Sequence, residues 1–149
     1  MSRLFLMRHG EAEFSASHDE MRRLTDRGLQ QVRQAASRLP GSPIALYHSP
    51  YVRAVESANA VAETCKVSSH NAASWLVPDA SVDAALAQLD VLSGQDTLLV
   101  THNPFVSALA AVLSGEPLAA VTFETGALAE LQGIDSDAWL PACLSFRWL

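Results

Sequence analysis

The chain has 149 residues, of which 49% are hydrophobic and 17% charged, with a formal net charge of -6. That length suits one domain, 1–149, with a sizeable core, and the apolar content excludes a disordered chain. The acidic balance disfavours nucleic-acid binding, and no apolar run approaches the roughly 20 residues that a membrane helix needs.

Along the chain, Leu4 to Met7 is a short apolar run ending in Arg8-His9-Gly10. It is too short for a secretory signal and leads into polar residues instead of a small-residue cleavage site, so the cytoplasm is the expected compartment. A first helix is predicted from Thr25, a good N-cap, through Leu29, Val32 and Ala36 to Pro40-Gly41. Ile44 to Tyr47 is a second apolar run, ending in His48-Ser49-Pro50, and a second helix follows with Val52, Val55, Ala58 and Val61 on its apolar face. Trp75 to Val77 reads as a strand or an extended connector, and a third helix runs from about Ser81 to Gly94. Thr97 to Val100 is a third apolar run, ending in Thr101-His102-Asn103-Pro104, and a fourth helix extends from Pro104 to Gly115. Val121 to Leu131 and Trp139 to Leu149 read as late strands.

The three short runs are apolar on both faces, as buried parallel strands are. Strands alternating with helices imply an α/β fold: a single-domain, three-layer α/β/α sandwich around a largely parallel sheet. Such sheets bind ligands outside the carboxyl ends of their strands, where all three polar clusters fall. Arg8, His9, Arg53 and His102 are thereby expected to converge. Two guanidiniums suit a doubly charged phosphoryl group, and helix N-termini favour anions. Of the two imidazoles, one can act as nucleophile while the other donates to a phosphoryl oxygen. The four residues include no carboxylate to compete for the arginines or bind a metal, so metal-free phosphoryl transfer is expected. Nine of the ten cationic residues are Arg, the side chain best shaped for phosphate. Cys65 and Cys143 have no metal or redox spacing and are expected to be buried free thiols.

Arg8-His9-Gly10 after the first strand resembles the signature of the histidine phosphatase (phosphoglycerate mutase-like) superfamily. Ser49-Pro50-Tyr51-Val52-Arg53-Ala54 looks like its Ser-Pro-x-x-Arg-Ala motif, Thr101-His102-Asn103 like its third, and Phe123-Glu124-Thr125 like a later feature. Arg22-Arg23-Leu24-Thr25-x-x-Gly28 resembles the Arg-Pro-Leu-Thr-x-x-Gly of SixA-type phosphohistidine phosphatases, with Arg23 in place of Pro. The resemblance implies a phosphoglycerate mutase-like fold, His9 as nucleophile, and Arg8, Arg53 and His102 as phosphate-binding catalytic groups. Arg22 becomes a further phosphate ligand. It implies no cofactor and no metal.

The family's ester-cleaving members use an acid, usually Glu, to protonate the leaving alcohol, and none can be placed here; Asp79 is the nearest by region. A phosphorylated imidazole can take a proton from solvent and leave neutral, so a phosphohistidine substrate needs no such acid. Only about 50 positions separate Arg53 from His102, and secondary structure takes up most of them, so little chain remains for a lid. The expected function is removal of phosphoryl groups from protein histidines through a phospho-His9 intermediate. The enzyme is expected to be a monomer whose partner is a phosphohistidine-bearing phosphotransfer protein. A phosphatase for a small phosphate ester and a noncatalytic phosphohistidine-binding module stand as alternatives. Glu11 is expected to make local hydrogen bonds, and Ser49 to serve a turn rather than act as a nucleophile.

Overall fold

In the computed structural model, residues 2–149 are described. Six strands form one sheet: β1 (Arg3–Arg8), β2 (Ile44–His48), β3 (Val67–Ala72), β4 (Thr97–Thr101), β5 (Leu128–Gly133) and β6 (Leu144–Trp148). Their spatial order is β3-β2-β4-β1-β5-β6. The first four in that order run parallel, β5 runs antiparallel to β1, and β6 runs antiparallel to β5. Four helices complete the fold: α1 (Asp26–Ala36), α2 (Val52–Thr64), α3 (Val82–Leu92) and α4 (Phe105–Ser114).

The layers follow from the strand alternation. Phe5 and Met7 of β1 join Leu46, Leu98 and Val100 beneath Val32 and Ala36 of α1 and Ala54, Ala58 and Val61 of α2. Leu4 and Leu6 point the other way, with Leu99 and Leu131, against Leu89 of α3 and Val106, Leu109 and Leu113 of α4. A strand with two dry faces must be apolar at every position, which is why β1, β2 and β4 read as unbroken apolar runs. Two helices start at side-chain caps: Thr25 Oγ1 accepts from the Gly28 N–H at 3.0 Å for α1, and Ser81 Oγ from the Ala84 N–H at 3.2 Å for α3. Gly115, at φ 73°, ends α4 in the left-handed conformation that suits glycine.

Several expectations need correction. Val67–Ala72 is a strand that sequence patterning does not reveal: Val-Ser-Ser-His-Asn-Ala is polar because it forms the exposed edge of the sheet beside β2. Trp75, expected in a strand or connector, lies in a 3-10 turn, Ser74–Leu76. The late strands are shorter than expected. The segment from Val121 bends through Gly126, at φ 74°, before pairing begins at Leu128, and β6 begins only at Leu144. Neither cysteine is fully buried, since Cys65 is half-buried and Cys143 is exposed.

Candidate active site

Because β1, β2 and β4 are parallel neighbours, the residues that follow them emerge at one end of the sheet. The His9 N–H donates to Thr101 O at 3.0 Å, and the Ser49 N–H to Val100 O at 3.0 Å. His9, Ser49 and His102 therefore sit side by side although they are distant in sequence.

The nucleophile candidate is held from both sides. His9 Nδ1 lies 2.7 Å from Gly10 O, and a carbonyl can only accept, so Nδ1 carries the proton and Nε2 keeps its lone pair. The Gly10 N–H donates to Ser57 Oγ at 3.1 Å, and Ser57 Oγ donates to Arg53 O at 2.7 Å, tying the loop after β1 to α2. The same loop crosses the first turn of α1 with no room to spare. A Cβ on Gly10 would stand 2.3 Å from Gly28 O, and one on Gly28 would stand 2.0 Å from Glu11 O. Both glycines are required by close backbone approach. Burial, above all, pushes His9 down to about 4, with Arg53 and Arg8 adding to the effect, so the ring is neutral near pH 7.

Donors surround that lone pair. Arg53, in the first turn of α2, aims Nε at His9 Nε2 from 3.2 Å. The His102 ring centroid lies 5.0 Å from that of His9. Ser49 Oγ is 2.7 Å from His102 Nε2 and also accepts from the Tyr51 N–H at 3.2 Å. Ser49 is fully buried, so its own proton is satisfied by going to His102 Nε2. The His102 proton is then on Nδ1, which is buried and has no partner among the described residues. His102 is pushed down to about 2, first by burial and then by His9 and Arg53. Arg8 donates through Nη1 to Phe123 O at 3.1 Å, while its buried Nε has no partner among the described residues. Burial is also the largest cause lowering Arg8, followed by repulsion from Arg53 and Arg22. Such a concentration of positive charge and idle donors suits an anion.

One expectation fails here, because a carboxylate does compete for the arginines. Asp19, in a 3-10 turn at Asp19–Met21, accepts from Arg53 Nη2 at 3.1 Å and from Arg22 Nη1 at 3.1 Å. Its backbone carbonyl accepts from Arg53 Nη1 at 2.7 Å. Arg22 also donates through Nε to Glu13 O at 2.6 Å. The only cue in the sequence is the Asp-x-x-Arg spacing of Asp19 and Arg22, in a loop otherwise too polar to interpret. Asn103 carries a role that its motif did not disclose. Its Nδ2 donates to Phe123 O at 2.7 Å, and its Oδ1 accepts from Ser107 Oγ at 2.5 Å, joining the loop after β4 to the Phe123–Thr125 segment.

These side chains line a cavity of about 410 Å³, walled by Arg8, His9, Arg22, Arg53 and His102, with Glu11, Phe14, Asn103 and Thr125 around them. No residue between 54 and 101 lines it, in keeping with the absence of chain for a lid there. Asp79 is exposed and outside this lining. Glu11 accepts from Thr25 Oγ1 at 2.7 Å, a local bond as expected. Among the described residues, no three His, Cys, Asp or Glu side chains converge as a metal site requires.

The profile of the Histidine phosphatase superfamily (branch 1) matches residues 4–75. Phosphohistidine phosphatase SixA of Escherichia coli K12 is 31% identical over 117 residues, covering 74% of this chain and 73% of that protein. A SixA homolog of Haemophilus influenzae is 32% identical over 127 residues, covering 76% and 77%. The structure of the protein histidine phosphatase SixA complexed with tungstate superposes with a TM-score of 0.83 at 28% identity, covering 98% of this chain and 94% of that one. Sequence, fold and site geometry agree: the chain belongs to the histidine phosphatase superfamily, among its SixA-like members.

Proposed function

We propose that this protein is a phosphohistidine phosphatase that hydrolyses phosphoryl groups from histidines of other proteins through a phosphorylated His9. The observation that carries this reading is the fixed tautomer of His9: the proton is held on Nδ1 by Gly10 O, and a bare Nε2 faces Arg53. The SixA relatives support the choice of substrate, and tungstate, the ligand of the similar solved structure, is a tetrahedral oxyanion like phosphate.

In the first step His9 Nε2 attacks phosphorus in line. A P–N bond forms to His9 as the P–N bond to the substrate imidazole breaks. The departing ring has taken a solvent proton on its other nitrogen and leaves neutral, so the step calls on no carboxylic acid, and Glu11 at the cavity wall stays bonded to Thr25 Oγ1. Arg8 Nε, Arg53 Nε and His102 Nδ1–H stabilise the equatorial oxygens, with Arg22 as an outer ligand. In the second step water attacks phosphorus and the His9–P bond breaks. His9 leaves neutral because Nδ1 keeps its proton throughout, and the water proton passes to phosphate or solvent. Two guanidiniums supply the positive charge, so no step calls for a metal ion. Acting on phosphotransfer proteins would place the enzyme in cytoplasmic signalling.

Phosphate release by wild type and His9→Ala from a phosphohistidine-bearing protein and from p-nitrophenyl phosphate tests the proposal. Fast release from the protein, slow release from the ester and none with the variant are expected, together with acid-labile, alkali-stable phosphate trapped on His9. A preference for the ester would overturn it.

A further inference from the structure

The proposed substrate reaches His9 on a short tether. A phosphorylated imidazole spans only about 6 Å from Cα to phosphorus, and His9 is just 6% exposed. Any folded carrier must therefore press its own surface onto the rim of the cavity, so the rim reads the carrier. One side of that rim is apolar beyond what catalysis uses. Asn103 is shared between the cavity and a second depression of about 300 Å³, whose other walls are Pro104, Ser107, Ala108, Leu118 and Thr122. None of these side chains is charged. Leu118 is 56% exposed, at the start of a 3-10 turn, Leu118–Ala120, whose three residues all face solvent. Thr122 also borders a neighbouring depression that reaches Trp148, itself 43% exposed, and includes Glu124, so the uncharged strip ends at Thr122. An apolar strip of this kind on an otherwise acidic protein marks a contact surface.

Resting on the phosphohistidine reading, we infer that the groove between the start of α4 and the Leu118–Ala120 turn docks the substrate protein, receiving apolar side chains that flank its phosphohistidine. The groove is continuous with the cavity through Asn103, so a carrier seated on one covers the other. Neutral walls suit aliphatic or aromatic flanking residues and exclude charged ones, which would be desolvated without a partner. Free phosphohistidine has no flanking surface and does not feel the groove.

The test uses the full chain as wild type, Leu118→Asp and Ala108→Arg, each assayed on a phosphohistidine-bearing protein and on free phosphohistidine. Both variants are expected to raise KM for the protein at least tenfold and to keep turnover of free phosphohistidine within twofold. Unchanged KM for the protein, or equal losses on both substrates, would overturn the docking site. If wild type cleaves neither substrate, the functional reading fails first and the docking site with it. Sedimentation of the same samples covers the other occupant: a wild-type dimer that Leu118→Asp turns into a monomer would assign the groove to a second copy and overturn the inference.

Discussion

Ser49 Oγ stands 2.7 Å from His102 Nε2, and this contact decides which nitrogen of His102 is presented to the phosphoryl group. The same hydroxyl accepts from the Tyr51 N–H, and its own buried proton needs an acceptor, which His102 Nε2 supplies, so the imidazole proton lies on Nδ1. Ser49 is thus a positioning residue as well as the turn residue expected from the Ser-Pro motif. Replacing it by Ala leaves both tautomers of His102 open. Ser49→Ala is expected to lower kcat about tenfold, the equivalent of one hydrogen bond, with a smaller change in KM. Nitrogen-15 NMR should show His102 passing from a single Nδ1–H form to a mixture; an unchanged spectrum would show that Ser49 does not set the tautomer.

Asp19 works in two opposing directions. It fixes the Arg53 guanidinium so that Nε faces His9, yet its negative charge competes with any oxyanion for Arg53 and Arg22. Asp19→Asn keeps the shape and removes the charge. Competitive inhibition by inorganic phosphate or tungstate should tighten about two- to fivefold, the range of an exposed ion pair. At the same time kcat should fall as Arg53 loses its anchor. Weaker oxyanion inhibition in the variant would show that Asp19 only positions Arg53.

The pH dependence follows from the two buried imidazoles. His9 is lowered to about 4 and His102 to about 2, so in the folded protein both stay neutral well below 6.5, where the unfolded chain takes up protons. The unfolded state binds more protons across that window, so stability is greatest above pH 6.5 and falls as the pH drops towards 4. Each histidine contributes a slope of up to about 1.4 kcal/mol per pH unit. Urea unfolding at pH 7, 6 and 5 should show a shallower decline in His9→Gln than in wild type. Parallel declines would mean that His9 is not held neutral. His9 stays unprotonated over the same range, so phosphate release measured from pH 7 to 5 should show no loss of rate from its titration.

Gly28 lies outside the chemistry but fixes its geometry. An added methyl would meet Glu11 O at 2.0 Å and push the loop after β1 away from α1. Gly28→Ala is expected to cost about 3 kcal/mol in urea unfolding and to reduce activity beyond that loss, since the displaced loop carries His9. An unperturbed midpoint would show that the crossing can relax.

The sheet centre was legible because burial on both faces demands apolar residues, and because the polar residues ending each run mark the strand ends. α1, α3 and the end of α4 were legible from Thr25, Ser81 and Gly115, and α2 from its apolar face. β3 was not, because an exposed edge strand such as Val67–Ala72 is held by backbone pairing, which leaves no hydrophobic signature. Arg8, His9, Arg53 and His102 could be placed together from topology and motif. Asp19 could not, because its partner Arg53 is 34 residues away and an exposed loop aspartate looks like any other solvated charge. The partnership of Ser49 and His102, 53 residues apart, is invisible for the same reason.

The strand order also imposes a sequence of events on biosynthesis. β4 lies between β1 and β2, yet it is the last of the three to leave the ribosome. A nascent chain that has emerged as far as α3 already carries His9 and Arg53, but β1 and β2 have no pairing partner in the gap between them. The Thr101 carbonyl that fixes the His9 backbone, and His102 itself, arrive only when that gap is filled. His9 and His102 thus cannot meet until β4 has emerged and taken its place between β1 and β2.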